Sequence, residues 1–563
     1  MKKIFALLLC TLLVFVTACG NDKKQDEEKR KEDAKGKPDT WIADRTITGL
    51  VFESEGDVSP EMNPEIQKKI KEKTGITLKL QKASGNDSTE ALTSGLASGD
   101  LPDFIAYYLN DSGRPEMKVL TKAAKQGQLT DLTDMLKDTD VYSKYFEKGY
   151  LPQDTRDNIM FRDDLDGTYF VHMSVNRKPG DPGPKTVGGP YIRKDIAEKL
   201  NIDPTDVKTS EDMQKVAEKI KKHGFKDDNG KPVTPIGPTA WGGSDRTPFY
   251  NDLVWTGSAD EKFMEKDGEV KHEAETDYGM KRVKHVHELM EKKLMHPEFY
   301  TMEENKAKEG IVNGSFGIVS ELHNYVTENQ SMKYIPMGPL NNAKGKYQME
   351  LPYKTGYSGW SIPKTTEHPE DIVKFADFLA SREGKLLAQY GIEGRDYELN
   401  KDGNPVVKKE VLRELEENPD KAKKRGFRGV GAYWAEHLGY TDIDRKADFG
   451  EREYGDNARA KGKKTNPEKM ADMWDYDEKL KNAKVIDGLT VKSFLPKFER
   501  GEELEIALDN YDEAVKRAYY AKSEDEAKKI LDEARQKLED AGIKEFDDMI
   551  EKEMKKEDTK VRF

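Results

Sequence analysis

The side chains able to do covalent or metal chemistry are few and poorly spaced for it. The two cysteines, Cys10 and Cys19, both fall within the first 20 residues. The rest of the chain therefore has no disulfide framework, no Cys-x-x-Cys zinc site and no thiol nucleophile. The nine histidines include no His-Glu-x-x-His pair. His285 and His287 are two apart, diverge on a helix face and read as surface residues. Gly356-Tyr-Ser-Gly359 and Gly314-Ser-Phe-Gly317 miss the Gly-x-Ser-x-Gly spacing that exposes a nucleophilic serine on a strand-to-helix turn. Gly429-Val-Gly431 lacks the third glycine of a dinucleotide loop. A carboxylate pair for glycoside hydrolysis cannot be read from spacing among 107 acids.

The first residues carry an address instead. Lys2 and Lys3 precede an apolar run of 13 residues, Ile4 to Val16. A membrane-spanning helix needs about 20 apolar residues, so the run reads as a secretory signal. The segment that follows, Val16-Thr17-Ala18-Cys19-Gly20, resembles the lipobox of bacterial lipoproteins. That resemblance implies removal of residues 1–18 and a diacylglycerol on the Cys19 sulfur. Two acyl chains anchor a protein stably where one is marginal. With Cys10 removed and Cys19 acylated, no free thiol is left to an oxidising exterior. Residues 19–40 read as a flexible tether: Gly20 to Thr40 holds seven basic and seven acidic residues and no large apolar one. Such a segment cannot bury enough surface to offset its ordering entropy.

Positioning anything beyond the tether requires a folded body, and 563 residues exceed the usual ~100–150 of one domain several-fold. Charged residues reach 36%, yet 24 Tyr, 20 Phe and 6 Trp suffice for the cores of at least two lobes. The net charge of −13 argues against a nucleic-acid partner, which calls for clustered Lys and Arg. Ile47–Phe52 reads as a buried strand, and Asn63-Pro64 opens a helix that Gly75 stops. Ile76–Leu80 is a second strand, a helix starts near Ser88, and Phe104–Leu109 is a third strand. That alternation predicts a parallel sheet covered by helices. Thr209 with Asp212, and Ser523 with Glu526, form capping boxes ahead of apolar i, i+3, i+4 patterns.

Several segments in order resemble the extracellular solute-binding proteins of bacterial ABC importers, and more narrowly the large lipoproteins of oligosaccharide and polysaccharide uptake. They are Ile66–Gly75, Leu96-Ala-Ser-Gly-Asp-Leu-Pro-Asp103, Gly127–Leu132, Tyr191-Ile-Arg-Lys-Asp195, Gly310–Gly317, Gly359-Trp-Ser-Ile-Pro363, His368-Pro-Glu370 and Tyr390–Gly394. The resemblance implies an α/β fold of two lobes, periplasmic-binding-protein-like (type II), with a hinge and a ligand cleft. It assigns residues 41–170 with 358–400 to one lobe and 171–357 with 401–563 to the other. It implies a monomeric, non-enzymatic protein on the outer face of the cell membrane that hands its ligand to an ABC permease. A lipoprotein presenting ligand to a membrane sensor kinase, or a surface glycan-active enzyme, are the competing readings.

Sugar recognition needs flat aromatic faces and planar hydrogen-bonding groups. On this basis Trp360 and Tyr357 near the suspected return crossing, Trp241 and Trp255 from the other lobe, and Tyr108, Asp103 and Arg193 are the expected ligand-binding residues. For Arg193 a loop salt bridge is the equal alternative to an acidic sugar. Asp227, Asp228 and Asn229 lie where some relatives of this kind carry a calcium loop, but Lys231-Pro-Val-Thr-Pro adds no carboxylate. Calcium takes six to eight oxygens, so a plain turn is expected and no metal is required.

Replacing Cys19 with Ser should release the protein from the membrane fraction. Retention of the Cys19→Ser chain with membranes refutes acylation at this residue.

Overall fold

The computed structural model describes residues 30–52, 62–83, 88–108, 116–151, 160–173, 187–245, 262–320, 332–338, 348–350, 358–427 and 464–563. Positions 31, 163, 188, 465, 483, 487–488, 557–558 and 560 are excepted, and residues 322, 443 and 446–449 are added. The chain divides into two compact units, Met1–Gly180 with Lys354–Arg452 and Asp181–Tyr353 with Glu453–Phe563.

In the first unit β1 (Arg45–Phe52), β2 (Ile76–Ala83) and β3 (Phe104–Tyr108) run parallel, linked by α1 (Pro64–Thr74) and α2 (Ser88–Ser98). The ends of α1 are set locally. Asn63 caps it by accepting from Glu65 N at 3.0 Å, Pro64 stands in the first turn, and Gly75 ends it in the left-handed region at φ 78°. Helix α3 (Glu116–Lys125) follows, and the chain reaches β4 (Val171–His172) before leaving the unit. When it comes back, the returning strand Ser358–Ser361 inserts antiparallel between β3 and β4, giving the order β2-β1-β3-returning strand-β4. The returning helix Pro369–Ala380 then buries Ile372, Phe375, Ala376 and Leu379.

Two expectations change here. Residues 171–173 belong to the first unit, because Val171 and His172 pair with Trp360 and Gly359. Residues 401–427 also belong to it, since Pro405–Val407 forms a hairpin with Tyr397–Leu399 and Arg425 pairs with buried Asp396 at 2.7 Å. The described part of the tether is not free either. Arg30 donates to both oxygens of Asp371 at 3.0 and 2.7 Å, and Lys37 Nζ lies 4.4 Å over the Trp41 ring. Asp371 is buried and also faces Arg45, so Arg30 and Arg45 together balance Asp371 and Asp103. A charge this deeply desolvated needs such partners.

The second unit has β5 (Tyr191–Arg193), β6 (Thr234–Thr239), β9 (Phe316–Ser320) and β10 (Tyr334–Pro336) in the order β10-β5-β9-β6, with β6 and β9 parallel. A hairpin of β7 (Phe263–Lys266) and β8 (Glu269–His272) stands apart from that sheet. Helices α4 (Lys194–Leu200) and α5 (Ser210–His223) come before β6, and α6 (Tyr278–Glu291) and α7 (Glu304–Val312) come before β9. Three C-terminal helices, α8 (Gly501–Tyr519), α9 (Glu524–Asp540) and α10 (Ile543–Glu553), pack around α6 and the hairpin. Both expected caps are present: Asp212 N donates to Thr209 Oγ1 and Glu526 N to Ser523 Oγ, each at 3.1 Å. Gly542 follows α9 at φ 87°. His285 and His287 are half-buried rather than at the surface, with His287 Nε2 lying 3.1 Å from the Ala518 carbonyl oxygen.

Polar groups are built into this core. Burial drives His272 down to about 3, so its ring is neutral, and Nδ1 accepts from Ala274 N at 3.2 Å. Burial, followed by the hydrogen bond to Glu275, pushes the Asp547 carboxyl up to about 10. The folded chain thus holds a proton on Asp547 that the unfolded chain releases above about pH 4. The stability this contributes is present at acid pH and is lost as the pH climbs through about 10. Asp547→Asn keeps a donor for Glu275 and removes the linked proton. By calorimetry the substitution should raise Tm at about pH 8 and leave it unchanged near pH 4. An identical pH slope in both proteins contradicts the shared proton.

Candidate functional site

In an open α/β sheet, ligands gather beyond the carboxyl ends of the parallel strands. In the first unit, Tyr108 closes β3 at its carboxyl end and pairs there with Ser358. Asp103 precedes the opposite, amino end of the same strand. Its Oδ2 accepts from Thr48 N at 2.7 Å and Thr48 Oγ1 at 2.8 Å, and its Oδ1 from Arg45 at 2.9 Å. Asp103 is therefore a clamp between β1 and β3 on the far end of the sheet, not a ligand contact.

Trp360 is a second correction. It is 1% exposed, and its indole stacks on Phe104 with ring centroids 4.1 Å apart. Phe104 in turn covers Gly49, where a Cβ would clash with the phenyl ring, 2.3 Å from Cζ. Only glycine on β1 lets the phenyl lie flat enough for the returning indole to stack on it. Beside it, Tyr107 and Ser361 share a hydrogen bond of 2.9 Å, and Ser361 Oγ donates to the Tyr169 carbonyl oxygen at 3.0 Å. Trp360 is thus a core ring that seats the returning strand. Tyr357 lies outside the described residues.

In the second unit, Trp241 follows β6 at its carboxyl end and is 41% exposed, one of few large apolar side chains so placed among the described residues. Lys308 Nζ stands 5.0 Å over its ring, held there by Glu304 at 2.5 Å. An exposed indole flanked by a cation offers a ligand both a flat face and a hydrogen-bond donor. Trp255 lies outside the described residues.

Arg193 takes the salt-bridge alternative. Its Nη2 meets Asp195 at 2.6 Å, and its Nη1 donates to the carbonyl oxygens of Lys226 at 3.1 Å and Gly314 at 2.5 Å. Burial works against ionised Asp195, but the guanidinium overcomes it and holds that carboxyl below the ordinary range. The 227–229 loop is equally self-contained. Asp227 Oδ1 accepts from Asn229 N at 3.0 Å and Lys231 N at 2.8 Å, its Oδ2 accepts from Ser315, and Asp228 pairs with Lys333 at 2.7 Å. These carboxylates do not converge into the oxygen cage that calcium needs. Among the described residues no three His, Cys, Asp or Glu side chains gather to hold a metal ion. Nor is any described helix long and apolar enough to cross a membrane.

The class defined here is a two-lobed α/β binding protein. The family profile for bacterial extracellular solute-binding proteins matches residues 56–386, and the chain belongs to that family. It is 24% identical over 368 residues to Lipoprotein LipO of Bacillus subtilis (strain 168), covering 62% of this chain and 66% of LipO, just under two thirds of that relative. Among solved structures it is similar to the alginate-binding protein AlgQ2, with a TM-score of 0.62, 19% identity, and coverage of 92% of this chain and 99% of AlgQ2. It is similar as well to the ABC-transporter substrate-binding protein FusA of S. pneumoniae in complex with kestose, with a TM-score of 0.61, 17% identity, and coverage of 90% and 98%. These likenesses establish the two-lobed α/β fold.

The contrast between the two tryptophans is testable without a ligand. Trp360→Ala should cost about 3–5 kcal/mol of stability, as expected of a fully buried ring. Trp241→Ala should leave the denaturation midpoint nearly unchanged. Equal losses in urea melts of the two variants contradict the assignment.

Proposed function

We propose that this protein is a lipid-anchored, monomeric binding protein that captures an oligosaccharide outside the cell and delivers it to an ABC permease. The observation that carries the sugar reading is Trp241, an exposed indole at the carboxyl end of a parallel strand in a solute-binding family member. Tyr108 holds the corresponding strand-end position in the first unit, and Tyr357 and Trp255 complete the proposed set. Two of the similar structures support the ligand class, one being an alginate-binding protein and the other holding kestose. The absence from the sequence of a Gly-x-Ser-x-Gly elbow or a His-Glu-x-x-His pair supports binding without turnover. Anchoring rests on the lipobox at Cys19 and on the likeness to a named lipoprotein.

A ligand that binds only the folded state stabilises it by RT ln(1 + [L]/Kd), about 2.7 kcal/mol at 100 times Kd. Thermal melts with kestose and with alginate oligosaccharides should show an upward shift for one of the two, with the glycan recovered intact. Trp241→Ala should reduce that shift without altering the melting temperature of the free protein. If neither glycan shifts the melt, or Trp241→Ala binds as tightly as the parent, the sugar reading fails.

A further inference from the structure

An indole left at a surface must be held there by something other than its own burial. The loop that carries Trp241 is unusually well fastened. Trp241 N donates to Thr239 Oγ1 at 3.2 Å, and that hydroxyl donates to the Gly242 carbonyl oxygen at 2.9 Å, closing a tight turn. Gly242 takes φ 109°, a conformation that favours glycine. A Cβ on Gly243 would collide with the backbone of Phe299 and Tyr300, so the loop lies directly against the turn Phe299–Thr301.

The fastening ends at Asp245. Its Oδ1 accepts from Tyr300 Oη at 2.8 Å, and its Oδ2 from Tyr519 Oη at 2.8 Å and Arg282 Nη1 at 3.2 Å. Tyr300 and Tyr519 stack at 4.6 Å, and Arg282, fully buried on α6, is held from its other side by Glu273 at 2.6 Å. One carboxylate thus ties the loop to α6, to the Phe299–Thr301 turn and to the end of α8. Three donors, one of them charged, converge on it, and such bonds are the strong ones.

We infer that Asp245 is a positioning residue for Trp241: the carboxylate anchors the loop so that the exposed indole is fixed before ligand arrives. This rests on the proposed role of Trp241 in binding sugar. A flat face fixed in advance spares the ordering cost that a loose ring would incur on binding. The effect of Asp245 on Trp241 passes through the backbone of the three residues between them, Gly242, Gly243 and Ser244.

The test reads the indole directly. Acrylamide quenching of tryptophan emission is measured for each variant and for the same variant carrying Trp241→Phe, and the difference isolates the Trp241 signal from the other tryptophans. Asp245→Ala should raise the quenching constant of that signal about twofold, because a ring that is 41% exposed can at most somewhat more than double its exposure on release. Tyr300→Phe and Tyr519→Phe each remove one donor and should move the signal the same way by less, which keeps the test open if Asp245→Ala does not fold. If Tyr300→Phe, Tyr519→Phe and any folded Asp245→Ala lower stability yet leave the quenching of Trp241 unchanged, Asp245 is merely structural and the inference is overturned. Because acrylamide is the only probe, this outcome is independent of the sugar reading. That reading fails separately if Trp241→Ala binds kestose or alginate oligosaccharide as the parent does.

Discussion

The first unit depends on one long-range contact, the stack of Trp360 on Phe104 over Gly49. The chain leaves this unit after β4 and returns at a strand of four residues, Ser358–Ser361, far too short to find its place by hydrogen bonds alone. Its register is fixed by an aromatic pair across the ladder, with Trp360 opposite Ala106 and stacked diagonally on Phe104. A slip of one residue would turn the indole to the other face of the sheet. Placing β4 at the edge of the sheet and the returning helix on the core both require that strand to be seated correctly.

This dependence explains what could be read from sequence and what could not. Helix ends were legible because their causes are local: Asn63 and Gly75 around α1, Thr209 before α5, Ser523 before α9. The parallel order of β1, β2 and β3 followed from alternation along a single stretch of chain. The role of Trp360 did not follow, because the ring it stacks on lies 256 residues earlier and nothing in Gly-Trp-Ser-Ile names it. The partners of Asp103 and Arg193 were hidden for the same reason. A charged residue looks available until its partners are known, and theirs are Arg45 and Thr48, and Asp195, Lys226 and Gly314. Of the candidate site, residue type alone found Trp241, while Lys308, Asp245, Tyr300 and Tyr519 were beyond reach. The glycine pair after Trp241 was the one local sign that backbone passes close to something there.

The composition, 36% charged and 35% apolar, takes on physical meaning in the second unit. Arg282 sits in the core between Glu273 and Asp245, and Lys262 beside Asp512 at 2.8 Å. Burying such pairs gains little net stability over apolar residues of the same size, because desolvation offsets the attraction. What they do supply is direction. An apolar side chain accepts many neighbours, whereas Arg282 is satisfied only when α6, the 273–275 turn and the loop at Asp245 arrive together. A core specified in this way fixes where a loop leaves it.

That specification bears on how an exposed aromatic ring can serve recognition. Left to the hydrophobic effect, a surface tryptophan folds down onto the nearest apolar patch and gains about 25 cal/mol for each Å² it hides. Trp241 sits on a loop packed against the backbone of Phe299, Tyr300 and Met302. It remains exposed because the turn at Thr239–Gly242 and the carboxylate at Asp245 restrain the backbone on both sides of the ring. Lys308 over the indole then holds part of its face by a cation–π contact rather than by burial. The buried charges of the second unit and its exposed ring are therefore one arrangement: polar bonds in the core keep apolar area available at the surface.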